Sequence, residues 1–371
     1  MSRPIKSLEE MLRDAEEIIR KKNLELKDNR RTIEDLRREK DTAEAIRQEI
    51  WGLSAHSLEP PAWVSGKGGP SGSRGGPVTI WSDFHYGEVV DPDQIGGVNE
   101  FNMKIAKARF NCLVDRTIDL CFNHMGKAEA KYPGIVVCLG GDMIGGDIHE
   151  ELMATNDRTP HQSVHDLTDM LGAGIEQLAS KFGHVFLPCV VGNHGRSTRK
   201  VLMKNRVYTN MDWSIYCNLE RDFRKDKRIR LLVPSGPDCL FNVYGHRYLL
   251  THGDSLGVKG GDGIIGALGP IMRGSIKVSN SKSQIGDNYD TLVMGHWHQY
   301  ITLPGLIVNN AFKGYDEYAM MALRAKYSRP SQALWFSHPE HGITAHWQVY
   351  LDGKKNPNDK KKGTDWVSWV V

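Results

Sequence analysis

The sequence lacks the features that mark secreted, membrane-spanning and disulfide-stapled proteins. Its six cysteines are scattered without a CxxC pair, and most of them lie inside apolar runs, which is typical of reduced, packed thiols. No apolar stretch reaches about 18 residues, the length of a membrane span. The charged N-terminus also lacks the apolar core of a secretory signal. A formal net charge of +3 is too small to indicate a partner. We therefore expect a soluble cytoplasmic protein that does not act at a membrane.

Proline and glycine are missing from residues 5–51, where acidic and basic side chains alternate densely. Within this segment an apolar residue recurs at every seventh position. These residues are Leu12, Ile19, Leu26 and Ile33. We predict that residues 1–57 form a charged helix or coiled coil, and that residues 5–53 serve homo-oligomerisation or bind a coiled-coil partner. The alternative is one solvated helix lying against the body of the protein.

The remainder of the chain divides by composition into three parts. Glycine, proline and serine dominate residues 58–77, which we predict to be a flexible linker. In residues 78–350 short β-branched runs alternate with helical patterns, which favours an α/β catalytic domain. The later runs lie closer together, as in a second, partly antiparallel sheet. Residues 351–371 form a lysine-rich C-terminal tail with an apolar end.

Side chains that bind metals follow five of the predicted strands. They are Asp83 and His85, Asp142, Asn193 followed by His194, His252, and the pair His296 and His298. In open α/β sheets, sites lie beyond the carboxyl ends of the strands, so these loops are expected to converge. Asp83 and His85 are two residues apart, and in an extended chain their side chains would point to the same face while Phe84 turns inward.

This set of side chains suits a two-metal site. Imidazole, carboxylate and amide ligands together favour two divalent transition ions, with manganese as the first prediction and iron or zinc as alternatives. Two ions about 3.5–4 Å apart can clamp a phosphoryl group and turn a bridging water into hydroxide. Asp142, which stands alone after its strand, is the candidate for a shared carboxylate. Asn193 can bind a metal while His194 donates a proton to the leaving group.

The order of the motifs DxH, GD, GNH, HG and GHxH between Asp83 and His298 resembles the calcineurin-like metallophosphoesterases. The resemblance implies an α/β, four-layer sandwich of two mixed β-sheets flanked by helices, here preceded by a long N-terminal helix. It also implies a catalytic proton donor, His194. For one metal it implies the ligands Asp83, His85, Asp142 and His298. For the other it implies Asp142, Asn193, His252 and His296.

The sequence departs from that family's pattern at two positions. The family usually has an acid directly after GNH, where this chain has Gly195. The usual acid a few residues after GD is displaced, and Asp147, His149 and Glu150 lie nearby instead. The groups that orient and tune His194 are therefore expected to come from elsewhere in the chain.

A cluster of cations follows the predicted proton donor and indicates an anionic substrate. We predict substrate contacts for Arg196, Arg199, Lys200 and His149, with a solvated surface as the alternative. The leading functional hypothesis is a nuclease, a phosphodiester hydrolase acting on DNA or RNA, similar to the nucleases of the superfamily that work with coiled-coil partners. The alternatives are a phosphomonoesterase, either a protein Ser/Thr phosphatase or a small-molecule phosphatase, and an inactive scaffold assembled through the N-terminal helix.

Overall fold

In the described part of the computed structural model, the β-branched runs of the sequence form eleven strands. They are β1 (Gly76–Trp81), β2 (Ile135–Leu139), β3 (Val185–Pro188), β4 (Ile229–Leu232), β5 (Asp238–Val243), β6 (His246–Thr251), β7 (Thr291–Met294), β8 (Ile301–Leu303), β9 (Leu306–Val308), β10 (Ser331–His338) and β11 (Gly342–Tyr350). The structure describes residues 16, 17, 19–27, 29, 30, 61–64, 75–124, 132–258 and 266–353.

The strands are arranged in two mixed sheets. The first has the order β11–β10–β1–β2–β3–β4, in which β1 to β4 run parallel and β10 and β11 pair antiparallel. The second has the order β5–β6–β7–β9–β8, with β6, β7 and β9 parallel between antiparallel edge strands. Parallel neighbours require crossover connections, and helices supply most of them.

Helices flank both sheets. They are α1 (Met103–Asp119), α2 (Glu150–Thr155), α3 (Pro160–Phe182), α4 (Met211–Phe223), α5 (Leu268–Gln284) and α6 (Glu317–Met321). Their starts follow local sequence signals. Thr159 and Gln162 form a capping box around Pro160 at the beginning of α3, and Asn210 caps α4 through the backbone N–H of Asp212.

Three apolar cores hold these layers together. Ile80 of β1 packs with Leu250 of β6 in the core between the two sheets. The helix-facing core of the first sheet contains Trp81. On the outer face of the second sheet, Leu292 packs in a core that includes Ile271 of α5. The predicted α/β class with two mixed sheets flanked by helices is confirmed, and the packing is compatible with a layered sandwich.

The chain divides into two compact units, Met1–Ser57 and Leu58–Val371. In the first unit the described residues are helical, and the side chains of Ile19 and Leu26 are exposed. The rest of the predicted helix or coiled coil, including Leu12 and Ile33, lies outside the described residues, as does the tail after residue 353. None of the described helices is both long enough and apolar enough to cross a membrane.

The structure describes residues 61–64 and 75–77 of the predicted linker, and both parts contain buried residues. Val64 is fully buried between the two sheets, and its carbonyl accepts a hydrogen bond from the backbone N–H of Tyr244 at 2.8 Å. The ring of Trp63 stacks on His184. Val64, which is buried, and Trp63, which is half-buried, anchor residues 61–64, because fully burying a large apolar side chain stabilises the folded state by about 1.5–3 kcal/mol.

Candidate metal centre

The five loops that carry the predicted ligands follow β1, β2, β3, β6 and β7, and they meet in the structure. Backbone hydrogen bonds connect neighbouring loops. The N–H of His85 donates to the carbonyl of Asp142 at 3.1 Å, and the N–H of Gly295 donates to that of His252 at 3.0 Å. The ligands are thereby held by the ends of parallel strands in both sheets, as expected for an α/β site.

Among the described residues the side chains form three overlapping groups, each with three donor atoms within 4.8 Å of one another. The first group is Asp83, His85 and His298, and the second group is Asp142, His252 and His296. The third group, His85, Asp142 and His194, connects the first two.

Two further contacts extend these groups. Oδ1 of Asn193 lies 3.1 Å from Nε2 of His252 and so joins the second group. Oδ2 of Asp142 lies 3.0 Å from Nε2 of His252 and 4.0 Å from Nε2 of His85. One carboxylate oxygen therefore faces both groups, and these buried clusters of histidine and aspartate can hold metal ions.

The backbone at the ligands is left-handed rather than extended. Among the described residues, eight non-glycine residues have a positive φ, and five of them are candidate ligands. These five are Asp83 (54°), His85 (47°), Asp142 (50°), His296 (66°) and His298 (51°). The expectation that Asp83 and His85 share a face of an extended chain is therefore wrong, although their side chains do converge. Such conformations cost about 1–3 kcal/mol each and concentrate at functional sites.

Hydrogen bonds at the outer nitrogens fix how the histidines face the site. Nδ1 of His85 lies 2.7 Å from Glu88 Oε1, and Nδ1 of His252 lies 2.8 Å from the carbonyl oxygen of Gly140. These oxygens accept hydrogen bonds, so each Nδ1 carries the proton and donates it. The Nε2 atoms then face the site, which is the orientation that metal-binding histidines adopt. The donor set and its orientation fit divalent transition ions.

The charges of the site also suit a cation. Burial, followed by the charge of Lys313, lowers the pKa of His85 to about 4. Burial opposes ionisation of Asp142, but the surrounding histidines, His252 foremost, together outweigh it and hold the pKa of Asp142 well below its ordinary value. Burial also opposes protonation of His252, yet Asp142 raises the pKa of His252 to about 10. A divalent ion would replace the imidazolium proton as the charge that balances the carboxylates.

His194 lies beside both groups. Its backbone N–H donates to Asp142 Oδ1 at 2.7 Å, and its Nδ1 donates to the carbonyl of Gly145 at 2.9 Å. The ring is 4.4 Å from that of His85, measured between centroids, and 6.0 Å from that of His149. A histidine fixed at Nδ1 beside candidate ligands can present Nε2 to a bound substrate.

Asp212, at the start of α4, is a site residue that sequence reasoning missed. Its carboxylate accepts backbone N–H bonds from Asp142 (3.0 Å), Met143 (3.1 Å) and Gly192 (2.9 Å). Burial, and then the charge of Asp142, raise the pKa of Asp212 to about 7. The carboxylate thus holds two ligand loops together. In the sequence it looks like an ordinary acid in the first turn of a helix.

Gly195 is explained by the same carboxylate. A Cβ atom at residue 195 would lie 2.4 Å from Asn210 Oδ1 and 2.9 Å from Asp212 Oδ1. The space that a side chain would need after Asn-His is therefore filled from α4. Any residue larger than glycine at position 195 would displace the groups that hold the loops.

The three cations predicted to contact substrate, Arg196, Arg199 and Lys200, differ in their partners and exposure. The guanidinium of Arg196 donates to the carbonyls of Asn193 (2.7 Å) and Thr198 (3.0 Å), so it braces the loop that carries a ligand. Arg199 pairs with Glu150 at 2.7 Å, with 85% of each side chain exposed, and such a pair adds little stability. Lys200 is exposed.

A glycine-to-alanine pair tests how closely the ligand loops approach. A Cβ atom at Gly192 would lie 2.0 Å from Oδ1 of Asp142, so Gly192→Ala must displace that carboxylate. We expect Mn²⁺ affinity to fall by about 10- to 100-fold, as when partners of metal ligands are lost. In Gly236→Ala the new methyl meets no heavy atom within 4 Å, which makes it the matched control. Titration calorimetry with Mn²⁺ measures both, and equal affinities would contradict the assignment of Asp142 as a ligand.

No family model matches the chain, and no curated protein matches it significantly. The function is therefore inferred from the geometry of the site.

Proposed function

We propose that the protein is a dinuclear-metal phosphodiester hydrolase of the calcineurin-like metallophosphoesterase type, acting on DNA or RNA. The observation that carries this proposal is the pairing of two three-residue groups around Asp142, with His194 beside both. A four-layer sandwich of that type is the corresponding proposal for the fold. Two adjoining metal positions with a proton donor at their side suit in-line displacement at phosphorus.

The first group with Asp142 would hold one ion, and the second group with Asn193 would hold the other. Bound there, the ions would neutralise the phosphoryl oxygens and promote formation of the nucleophile from water. The oxygen of water bonds to phosphorus while the bond to the leaving oxygen breaks. His194 gives the leaving oxygen a proton from Nε2, and the proton of the attacking water passes to solvent.

The exposed cations in the loop after His194 are suited to binding an extended anionic substrate. Arg199, Lys200 and Lys204 are exposed there, within ten residues of the proposed proton donor. Cations that follow a catalytic group in this way can contact phosphates on either side of the scissile bond. Arg206 is engaged elsewhere, because it pairs with Asp254 at 2.7 Å and only 13% of its side chain is exposed.

A substrate panel in the presence of Mn²⁺ tests the proposal. It contains single- and double-stranded DNA and RNA, bis-p-nitrophenyl phosphate as a diester and p-nitrophenyl phosphate as a monoester. We expect Mn²⁺-dependent cleavage of a polynucleotide and of the diester. Hydrolysis of the monoester alone would identify a phosphomonoesterase. Two bound metals without any hydrolysis would indicate a scaffold.

Substitutions of the loop cations separate substrate contact from support of the fold. Arg199→Ala and Lys200→Ala should weaken polynucleotide binding several-fold. They should also reduce its salt dependence, because a protein that contacts fewer phosphates releases fewer counterions on binding. Hydrolysis of the small diester should stay normal in both. Arg196→Ala should instead lower hydrolysis of both the polynucleotide and the small diester, because the Arg196 side chain braces Asn193.

The matched control for these cations is Lys181→Ala. Lys181 lies at the end of α3, just before β3 begins, and the candidate ligands follow the opposite ends of the strands. Binding is measured by fluorescence anisotropy at several salt concentrations. If Lys181→Ala weakens polynucleotide binding as much as Lys200→Ala does, the loop after His194 does not form a specific contact with the substrate.

A further inference from the structure

Glu88 lies behind the two histidines that the proposed mechanism uses for different purposes. Its Oε1 atom is 2.7 Å from Nδ1 of His85 and 3.8 Å from Nδ1 of His194. Only 5% of the Glu88 side chain is exposed. One buried carboxylate therefore faces the outer nitrogens of a candidate metal ligand and of the candidate proton donor.

The fold makes room for Glu88 at a glycine. A Cβ atom at Gly145 would lie 2.4 Å from Cγ of Glu88 and 2.9 Å from its Oε1. The carboxylate thus passes close beneath residue 145, whose carbonyl oxygen accepts the Nδ1–H of His194. The carbonyl oxygen of Gly145 and the carboxylate of Glu88 thus both lie on the side of the His194 ring that faces away from the site.

A buried ion-pair network holds the charge of Glu88. Oε2 of Glu88 lies 2.5 Å from Nζ of Lys313, and the same ammonium lies 2.7 Å from Oδ2 of Asp316. These three side chains are at most 8% exposed. These ion pairs fix the position of the carboxylate behind both imidazole rings.

We infer that Glu88 is a positioning residue of His194 alongside the Gly145 carbonyl, supplying the acidic partner that the loop after Asn193 lacks, while it also orients His85 for metal binding. The inference rests on the proposed hydrolase function. Glu88 is not itself a candidate ligand; it acts on the side of the His194 ring that carries Nδ1, 3.8 Å from its Oε1 atom, and so keeps Nε2 toward the leaving oxygen. It thereby links binding of the first metal to proton donation through one side chain.

The test compares two diesters in Glu88→Gln at saturating Mn²⁺. The amide keeps the size of the side chain, and Lys313 retains Asp316 as its partner, so the fold should tolerate the change. Bis-p-nitrophenyl phosphate releases a phenolate that needs no proton, whereas a dinucleotide releases an alkoxide that does. We expect kcat for the dinucleotide to fall at least about 10-fold more than kcat for the aryl diester, as when general acid catalysis is impaired.

A double-mutant cycle gives the decisive readout. If Glu88 acts through His194, then Glu88→Gln should not change the ratio of the two rates further in a His194→Asn background. Glu88→Asp, which keeps the charge but shortens its reach, should show the same selective loss and serves if the glutamine variant does not fold. Glu340→Gln, in the turn between β10 and β11, is the exposed carboxylate control.

The outcomes separate this inference from the proposed function. A wild-type protein that hydrolyses both diesters, combined with equal losses on both in Glu88→Gln, would leave the hydrolase in place and overturn the role of Glu88. Additive effects in the double mutant would overturn it as well. A wild-type protein that hydrolyses neither diester would overturn the proposed function itself.

Discussion

Replacement of Asp142 by alanine is expected to remove both metal ions and to lower hydrolysis by on the order of 10³-fold or more. The reason is geometric. Oδ2 of Asp142 faces His252 at 3.0 Å and His85 at 4.0 Å, so this candidate ligand lies between the two groups. Elemental analysis of the purified variant measures the metal content. The absorbance of p-nitrophenolate released from bis-p-nitrophenyl phosphate measures activity.

The comparison variant for Asp142→Ala is His85→Ala. His85 belongs to the first group, and its Nε2 lies 3.2 Å from Nε2 of His298. We expect its loss to weaken one ion and to spare the other. Two transition ions per chain in Asp142→Ala would show that this carboxylate is not shared. Loss of both ions in His85→Ala would show that the two positions fill only together.

Replacement of His194 by asparagine is expected to lower turnover of a dinucleotide by about 10²- to 10⁴-fold, the usual contribution of a general acid. Both metals should remain bound, because the neighbouring Asn193 contacts His252 and belongs to the second group. Hydrolysis of the p-nitrophenyl diester should fall much less, since its leaving group needs no proton. Steady-state kinetics on both substrates, together with elemental analysis, measures the effect.

The control histidine for this experiment is His338. It ends β10 beside the start of β1, at the opposite end of the strand from the ligand loop, and His338→Asn should be neutral. Equal losses on both substrates in His194→Asn would mean that His194 supports the metals or the fold. An unchanged dinucleotide rate would remove it from the mechanism.

Several features of the site can be predicted from the sequence because neighbouring residues encode them. Short β-branched runs indicate strands, and their carboxyl ends share an edge, so the convergence of Asp83, Asp142 and His252 follows from strand order alone. The alternation of these runs with helical patterns likewise predicts the α/β class. The motif order adds a division of these side chains between two metals, which stays a prediction.

Other features depend on contacts between residues far apart in the chain. Asp212 binds the backbone of Asp142 across 70 residues, and Lys313 reaches Glu88 across 225. Neither pair has a local signature, because each acid or base alone looks like an exposed charge. The order of strands and helices in the folded chain brings them together, and their burial then decides which charges persist.

The tertiary structure also decided the local conformation of the ligands. An extended chain at Asp83 and His85 was the natural prediction from the spacing, yet both residues are left-handed, with φ of 54° and 47°. Such strain persists only where surrounding contacts over-determine it, and here those contacts come from the loops after other strands. Residue types and motif order are thus enough to predict which side chains meet at the site. The packing of distant segments decides the geometry of these residues. It also decides the placement of Glu88 beside His194 and the bracing role of Arg196.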